Sequence, residues 1–116
     1  MIFFTEDEHY GHTNIIRFCD RPFENVQEMD TKLIRRHNEV VEVEDTVVHA
    51  GDFAWCKREK EAQAYVKQLN GRHVFIRGSH DRWLPKSAPT MWMEMIEGKY
   101  VIVCHYFLCL QVLSYR

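Results

Sequence analysis

The sequence lacks an excess of one charge, a long apolar run and any closely spaced cysteine pair. Fifteen basic and 17 acidic residues leave a net charge of −2 with histidines neutral, which gives no electrostatic signal for nucleic-acid binding. No apolar run reaches the ~18 residues that a membrane helix needs. Glu6 and Asp7 interrupt the apolar N-terminus before it attains secretory length. We therefore expect a cytoplasmic protein without membrane association.

Glycine and proline are also scarce, and the cysteines show no pairing pattern. The four cysteines are widely spaced and form no C-x-x-C pair, so neither a disulfide framework nor a cysteine-type zinc site is indicated. The composition, 46% hydrophobic and 13% aromatic, is typical of a folded soluble domain rather than a disordered chain. With 116 residues, the chain has the length of one domain, and we predict a single domain over residues 1–116.

Short apolar runs alternate with amphipathic segments along the first two thirds of the chain. The runs predict strands over residues 2–5, 46–49 and 72–76, and the segments predict helices over 13–19, 26–41 and 57–69. Two further runs, 93–96 and 99–104, are split by Glu97-Gly98 and predict a hairpin. This order is typical of an α/β fold with parallel strand pairing.

A polar cluster follows each predicted strand of the parallel sheet, and another follows the hairpin. The clusters are Asp7-Glu8-His9, Gly51-Asp52, Gly78-Ser79-His80-Asp81 and Cys104-His105. Sites in open α/β sheets form beyond the carboxyl ends of the strands. Carboxylates and imidazoles are ligands that several divalent metals accept. Each cluster alone is an ordinary turn or a hydrogen-bonded histidine, but the four in series predict one shared metal site.

Several longer segments carry a family resemblance. They are FTEDEHYGHTNIIR (4–17), RPF (21–23), VVHAGDF (47–53), LNGR (69–72) and IRGSHD (76–81). With them, the chain resembles the calcineurin-like metallophosphoesterase family from about residue 2 to 106, and most of all its small single-domain bacterial and phage members. The resemblance implies an α/β fold of the αββα sandwich type. It also implies a hydrolase that cleaves phosphomonoesters or phosphodiesters.

The resemblance assigns roles to the clustered residues. Asp7 and His9 would hold one divalent metal, Asp52 would bridge two, and Ser79 and His105 would serve the second. A hydroxide between the two cations would attack phosphorus in line. The expected metals are two Mn²⁺ ions, with Fe, Zn²⁺ or Ni²⁺ as alternatives.

The resemblance also places residues around the substrate, a phosphate ester. His80 would stand beside the reacting phosphate and give a proton to the leaving oxygen, and Asp81 would orient His80. His12, Asn14 and Arg17 would lie on the substrate side. An arginine can bind two phosphate oxygens at once through two hydrogen bonds, although exposed arginines are more often simply solvated.

The chain departs from the family pattern in two places. Serine stands at position 79, where the family has an asparagine ligand, so we expect a weaker second metal. Family members also continue past the segment matching His105-Tyr106 to a Gly-His-x-His motif that this sequence does not contain. We therefore expect a sandwich without the C-terminal part of its second sheet. The alternative function is a catalytically impaired homologue that binds one metal or acts through a protein partner.

The last residues form a further apolar segment. Residues 107–113 read FLCLQVL, a strand-like composition with little charge that favours association. We expect this tail to contact another copy and to make a homo-oligomer.

Overall fold

The computed structural model describes residues 1–106. The homo-oligomer predicted from residues 107–113 therefore lies outside the described residues. The elements are β1 (Ile2–Thr5), α1 (Thr13–Phe18), α2 (Val26–Val40), β2 (Thr46–His49), α3 (Glu59–Val66), β3 (Arg72–Phe75), β4 (Met91–Ile96) and β5 (Lys99–Cys104). The described part of the chain is a small mixed α/β domain with one parallel and one antiparallel sheet.

The parallel sheet has the order β1-β2-β3, so β2 lies in its centre. Its strands pair in register, with Phe4 beside Val48 and Val48 beside Val74. Val47 and Val48 of β2 are 1% and 0% exposed, because a central parallel strand is covered on both faces. All three strands end at the same edge of the sheet, and the loops that follow them carry the polar clusters.

The antiparallel sheet is the hairpin β4–β5, in which Ile96 pairs with Lys99. Its turn residues Glu97 and Gly98 both have positive φ, 50° and 78°. A two-residue turn with positive φ at both positions has a backbone twist that matches that of the two strands. The hairpin packs on the first sheet through Trp92, whose ring meets Phe4 edge to face at 5.7 Å between centroids. This contact carries the end of β5, and with it His105, towards the loops of the parallel sheet.

The structure confirms the predicted order of strands and helices, with small differences at the ends. Helix α3 begins two residues later and ends three residues earlier than predicted, and β4 begins two residues earlier. The N-cap position of α1 belongs to His12, which makes no side-chain cap bond. Helix α2 does have a side-chain cap, because Asn25 accepts a hydrogen bond from the Glu28 amide.

The core is an aromatic cluster directly behind the site loops. Tyr10 and Phe53 are each 1% exposed and Trp83 is 4% exposed. The Phe53 ring centroid lies 5.1 Å from that of Tyr10 and 5.8 Å from that of Trp83. Tyr10 follows His9, Phe53 follows Asp52, and Trp83 comes two residues after Asp81. Burying one such ring stabilises the fold by about 3 kcal/mol, so three of the polar loops are anchored by their neighbours in sequence.

Among residues 1–106, the longest helix has 15 residues, and none combines the length and the apolar character needed to cross a membrane.

Candidate metal centre

The first two site loops continue the pairing of β1 with β2 beyond the strands. The amide of Asp7 donates to the carbonyl of Gly51 at 3.0 Å, and the amide of His9 donates to that of Asp52 at 3.0 Å. Arg21 supports the same loop from outside, because its guanidinium donates to the carbonyls of Asp7 at 2.6 Å and Glu8 at 2.8 Å. The backbone that carries Asp7, His9 and Asp52 is therefore fixed by hydrogen bonds on two sides. Arg21 belongs to the RPF segment of the family resemblance, which assigned it no role.

Three candidate ligands have a left-handed backbone. The φ values are 58° at Asp7, 58° at His9 and 53° at Asp52. Such a conformation costs about 1–3 kcal/mol per residue and concentrates at functional sites. Here it turns the side chains of His9 and Asp52 into a buried position at the strand ends, where they are 5% and 4% exposed.

Three imidazoles converge on one oxygen of Asp52. Its Oδ2 atom lies 2.8 Å from His80 Nδ1, 3.3 Å from His105 Nε2 and 3.5 Å from His9 Nε2. The three histidines come from three different loops that are distant in sequence. The Asp52 side chain is 5% exposed, so a buried carboxylate forms the centre of a nitrogen-rich cluster. Such a cluster suits a divalent cation of intermediate softness.

The ligand atoms form two neighbouring groups. In one, atoms of His9, Asp52 and His80 lie within 4.8 Å of one another; in the other, atoms of Glu6, Asp7 and His105 do so. The two groups adjoin, because Asp7 Oδ1 lies 3.9 Å from both His9 Nε2 and His105 Nδ1.

This grouping differs from the sequence expectation at two points. His80, rather than Asp7, is grouped with His9 and Asp52, because the His80 amide also donates to Asp52 Oδ1 at 2.8 Å and holds the loop against it. Glu6, which was not among the predicted ligands, joins Asp7 and His105. Its position next to Asp7 was the signal available in the sequence.

The charge states suit cation binding. Burial raises the pKa of the Asp52 carboxyl, but hydrogen bonds from the side chain and backbone of His80, with the charges of His105 and His80, outweigh it and leave that pKa below its usual value. Burial lowers the pKa of His9, and the neighbouring charges of His12 and Arg21 lower it further, against the opposing effect of Asp52. Asp52 is therefore anionic and His9 neutral at pH 7, the forms that a metal binds.

Two glycines leave space for the cluster. A Cβ at Gly51 would lie 2.5 Å from His105 Nδ1, and one at Gly78 would overlap Asp52 Oδ1. Gly51 also has a φ of 112°, which other residues rarely adopt. The loops after β2 and β3 therefore pack more closely on His105 and Asp52 than any side chain at these positions would allow.

Asp81 has a role that differs from the one expected. Its buried carboxylate accepts hydrogen bonds from the amides of Asp52 at 2.7 Å, Gly78 at 2.8 Å and Phe53 at 2.9 Å, and from the Trp83 indole at 3.1 Å. Within the described residues, His80 is oriented by Asp52 instead. The expectation that Asp81 orients His80 directly is thus corrected: Asp81 ties the loop after β3 to the loop after β2.

Ser79 lies inside the cluster. Its hydroxyl is 3.4 Å from both carboxylate oxygens of Asp52 and 3.1 Å from His80 Nδ1. The side chain is therefore placed where a ligand was expected, although a hydroxymethyl group reaches less far than the amide of an asparagine.

The three residues predicted on the substrate side separate in the structure. His12 joins the site, because its Nδ1 lies 3.0 Å from His9 Nδ1 in a buried contact. Asn14 and Arg17 are exposed on α1 and line a groove together with Glu24 and neighbouring residues. That groove contains no member of either ligand group, so the structure does not bring these two residues into the cluster.

A buried chain of hydrogen bonds supports the loop after β1. Glu8 Oε2 lies 2.6 Å from His49 Nδ1, and His49 Nε2 lies 2.9 Å from His73 Nδ1. Burial, with the neighbouring charge of His49, lowers the pKa of His73 to about 4, so His73 is neutral at pH 7. The Glu8 side chain is only 10% exposed, and it anchors the loop that carries Asp7 and His9.

Comparisons with known proteins give relatives without a described function. No family model matches the chain. It is 45% identical over 83 residues, 71% of its length, to the uncharacterized protein MJ1445 of Methanocaldococcus jannaschii, of which the match covers 47%. The fold is similar to the crystal structure of AQ665, a protein of unknown function from Aquifex aeolicus, with a TM-score of 0.73 and 27% identity. That match covers 91% of this chain and 60% of AQ665, so the chain spans about half to three fifths of these proteins.

Replacing Gly78 by alanine tests whether the close packing on Asp52 matters for metal binding. The new Cβ would displace the Asp52 carboxylate, and we expect the dissociation constant for Mn²⁺, measured by isothermal titration calorimetry, to rise about tenfold or more. Ser87→Ala, in the exposed loop before β4, is the control. Unchanged Mn²⁺ affinity in a folded Gly78→Ala protein would contradict this placement of Asp52.

Replacing Asp81 by asparagine tests its support of the two loops. The amide offers one acceptor oxygen where the carboxylate has two, and its NH₂ group would face backbone donors. We expect the free energy of unfolding, measured by urea denaturation, to fall by about 2–4 kcal/mol. The exposed change Glu94→Gln on the hairpin is the matched control, expected within about 0.5 kcal/mol of the parent. Equal stability of both variants would show that Asp81 does not hold the loops after β2 and β3 together.

Proposed function

We propose that the protein is a metal-dependent phosphoesterase of the calcineurin-like type, built on part of an αββα sandwich. The observation that carries the proposal is the convergence of three imidazoles on Asp52 Oδ2. Three imidazoles from separate loops around one buried carboxylate support a shared site, in which His9 and His105 would be metal ligands and His80 would face the substrate. The quoted sequence segments suggest the chemistry, since His9, Asp52 and His80 belong to them, and His105 joins these residues from the end of the hairpin.

The residues present fit two adjacent divalent cations. Asp7 and His9 would hold one, Asp52 would contact both, and His105 with Ser79 would hold the other. Asp7 Oδ1 lies 3.9 Å from both His9 Nε2 and His105 Nδ1, so Asp7 and its neighbour Glu6 are also within reach of the second cation. Bound cations would neutralise the phosphate and generate a hydroxide nucleophile near neutral pH. Mixed carboxylate and imidazole ligands suit Mn²⁺ first, and also Fe, Zn²⁺ or Ni²⁺.

His80 is the residue placed to act on the substrate. Its Nδ1 lies 2.8 Å from the Asp52 carboxylate, which can only accept, so Nδ1 carries a proton and Nε2 is the atom free to contact substrate. The side chain is 41% exposed, in contrast to the buried His9. Nε2 of the protonated ring can donate its proton to the oxygen that leaves phosphorus, a step worth about 10²–10⁴ in rate.

Turnover of bis-(p-nitrophenyl) phosphate with Mn²⁺ tests the proposal. Asp52→Asn should abolish hydrolysis and reduce the bound metal, because the shared carboxylate is lost. His80→Ala should lower the turnover number about 10²-fold or more while metal content, measured by mass spectrometry, stays near that of the parent. Glu94→Gln, a change at an exposed position, is the control for differences in purification. Equal hydrolysis by the parent and both site variants would refute the proposal, and absence of turnover with one bound metal would favour the impaired homologue.

Ser79→Asn tests the reason for expecting a weak second metal. The longer amide should reach the cation that the serine hydroxyl approaches poorly, and we expect hydrolysis at limiting Mn²⁺ to increase severalfold. Ser79→Ala removes the oxygen and should do the opposite. A folded Ser79→Asn protein with the parent's dependence on Mn²⁺ concentration would show that position 79 does not contact the metal.

A further inference from the structure

A cavity of about 250 Å³ opens beside His80. It is lined by Trp55, Cys56, Lys57, Glu61, His80 and Arg82. His80 is the one lining residue that also belongs to the metal cluster. If His80 gives its proton to the leaving oxygen, as proposed above, the substrate group bonded to that oxygen, or to phosphorus next to His80, extends into the cavity. The volume is below the range of about 300–1,000 Å³ for drug-sized ligands, which suits a single ring system.

Trp55 gives the cavity an aromatic wall. The indole is 45% exposed, unusual for so large an apolar group beside a polar site. One of its faces is stacked on His12, with centroids 4.4 Å apart and an interplanar angle of 12°. On the cavity side the His80 ring lies 5.3 Å from the indole, measured between centroids, and is tilted by 46° to it. The stacking on His12 holds the indole in place, and nearly half of Trp55 stays exposed.

The charged lining residues complete a site for a polar, flat group. Lys57 and Arg82 are exposed, and no carboxylate of the described residues lies within 4 Å of either cationic group. The Arg82 guanidinium lies 6.0 Å from the Trp55 ring centroid, at the limit of a cation–π contact. Glu61 offers a carboxylate that can accept from an exocyclic amine. Ring stacking, two donors and one acceptor are what a nucleobase needs.

We propose that this cavity binds the base of a small nucleotide-type phosphate ester, with the ring on Trp55 and the phosphate at the metal centre. The inference rests on the proposed function for the position of the phosphate. A mononucleotide-sized ligand is favoured over a nucleic acid, because the chain's net charge of −2 provides no basic track for a long phosphate backbone. Simple alkyl and sugar phosphates would occupy the phosphate position and leave Trp55 uncovered.

Calorimetric titration of the Mn²⁺-loaded protein with two phosphonates tests the proposal. One is the 5′-phosphonate of adenosine, in which a methylene replaces the ester oxygen so that the ligand cannot be hydrolysed. The other is the same phosphonate on methyl riboside, without the base. Stacking on one aromatic side chain should make the adenosine compound bind on the order of tenfold tighter.

Variants at position 55 assign the difference to the indole. Trp55→Leu, which keeps apolar bulk but no flat face, should reduce the preference for the adenosine compound to within about twofold, and Trp55→Phe should restore most of it. Tyr100→Leu, an exposed aromatic change on the hairpin, is the matched control and should keep the parent preference. Equal affinities for both compounds in the parent protein, or a preference that Trp55→Leu leaves intact, would overturn the proposal.

The same experiment separates this proposal from the function on which it rests. Asp52-dependent hydrolysis of bis-(p-nitrophenyl) phosphate together with equal phosphonate affinities would remove the base site and leave the phosphoesterase standing. A Trp55-dependent preference without any hydrolysis would keep the base site and remove the phosphoesterase. A 5′-phosphorylated oligodeoxyadenylate completes the series: much tighter binding that weakens steeply with salt would keep the base site but overturn the choice of a small nucleotide.

Discussion

The candidate centre depends on the hydrogen bonds that the buried carboxylate of Asp81 accepts. This carboxylate accepts four hydrogen bonds and so joins the loop after β2 to the loop after β3. Without that tie, the amides of Asp52, Phe53 and Gly78 would be buried without partners, a cost of about 1–3 kcal/mol for each. With it, Asp52 is held between His9 and His80 at the edge of the sheet. The site therefore owes its geometry to a residue that is not expected to touch metal or substrate.

The second constraint is that the site loops are extensions of the core. Tyr10, Phe53 and Trp83 bury their rings within one or two residues of His9, Asp52 and Asp81. Hydrophobic burial thereby compensates for the cost of the left-handed backbone at His9 and Asp52. A rigid aromatic layer behind a polar layer is what a preorganised electrostatic site requires.

Much of this arrangement could be predicted from the sequence. Short apolar runs located β1, β2 and β3, and apolar periodicity located the main helices, because each helix buries one face against the core. The polar clusters could be assigned to one edge because parallel strands end together. The series of four polar clusters predicted a metal site, whereas the identity of the metal and the reaction came from resemblance alone. All three remain proposals that the convergence on Asp52 supports.

The rest depended on contacts between residues far apart in sequence. Glu8 and His49 are 41 positions apart, and nothing in the local sequence of Glu8 indicates that its side chain is buried on an imidazole. The guanidinium of Arg21 contacts backbone carbonyls, which carry no signal in a side-chain pattern. The roles of Asp81 and Trp55 likewise depend on contacts with residues that are far away in sequence. Burial of a polar group is decided by the fold and not by its neighbours in the chain.

The most direct test of the central claim is a crystal structure of the protein soaked with Mn²⁺, with anomalous diffraction data collected to locate the metal. The account predicts two anomalous peaks about 3.5–4 Å apart, on either side of the Asp52 carboxylate, one near His9 and the other near His105. No anomalous peak within coordination distance of Asp52, at saturating Mn²⁺, would contradict the assignment of this cluster as a metal centre.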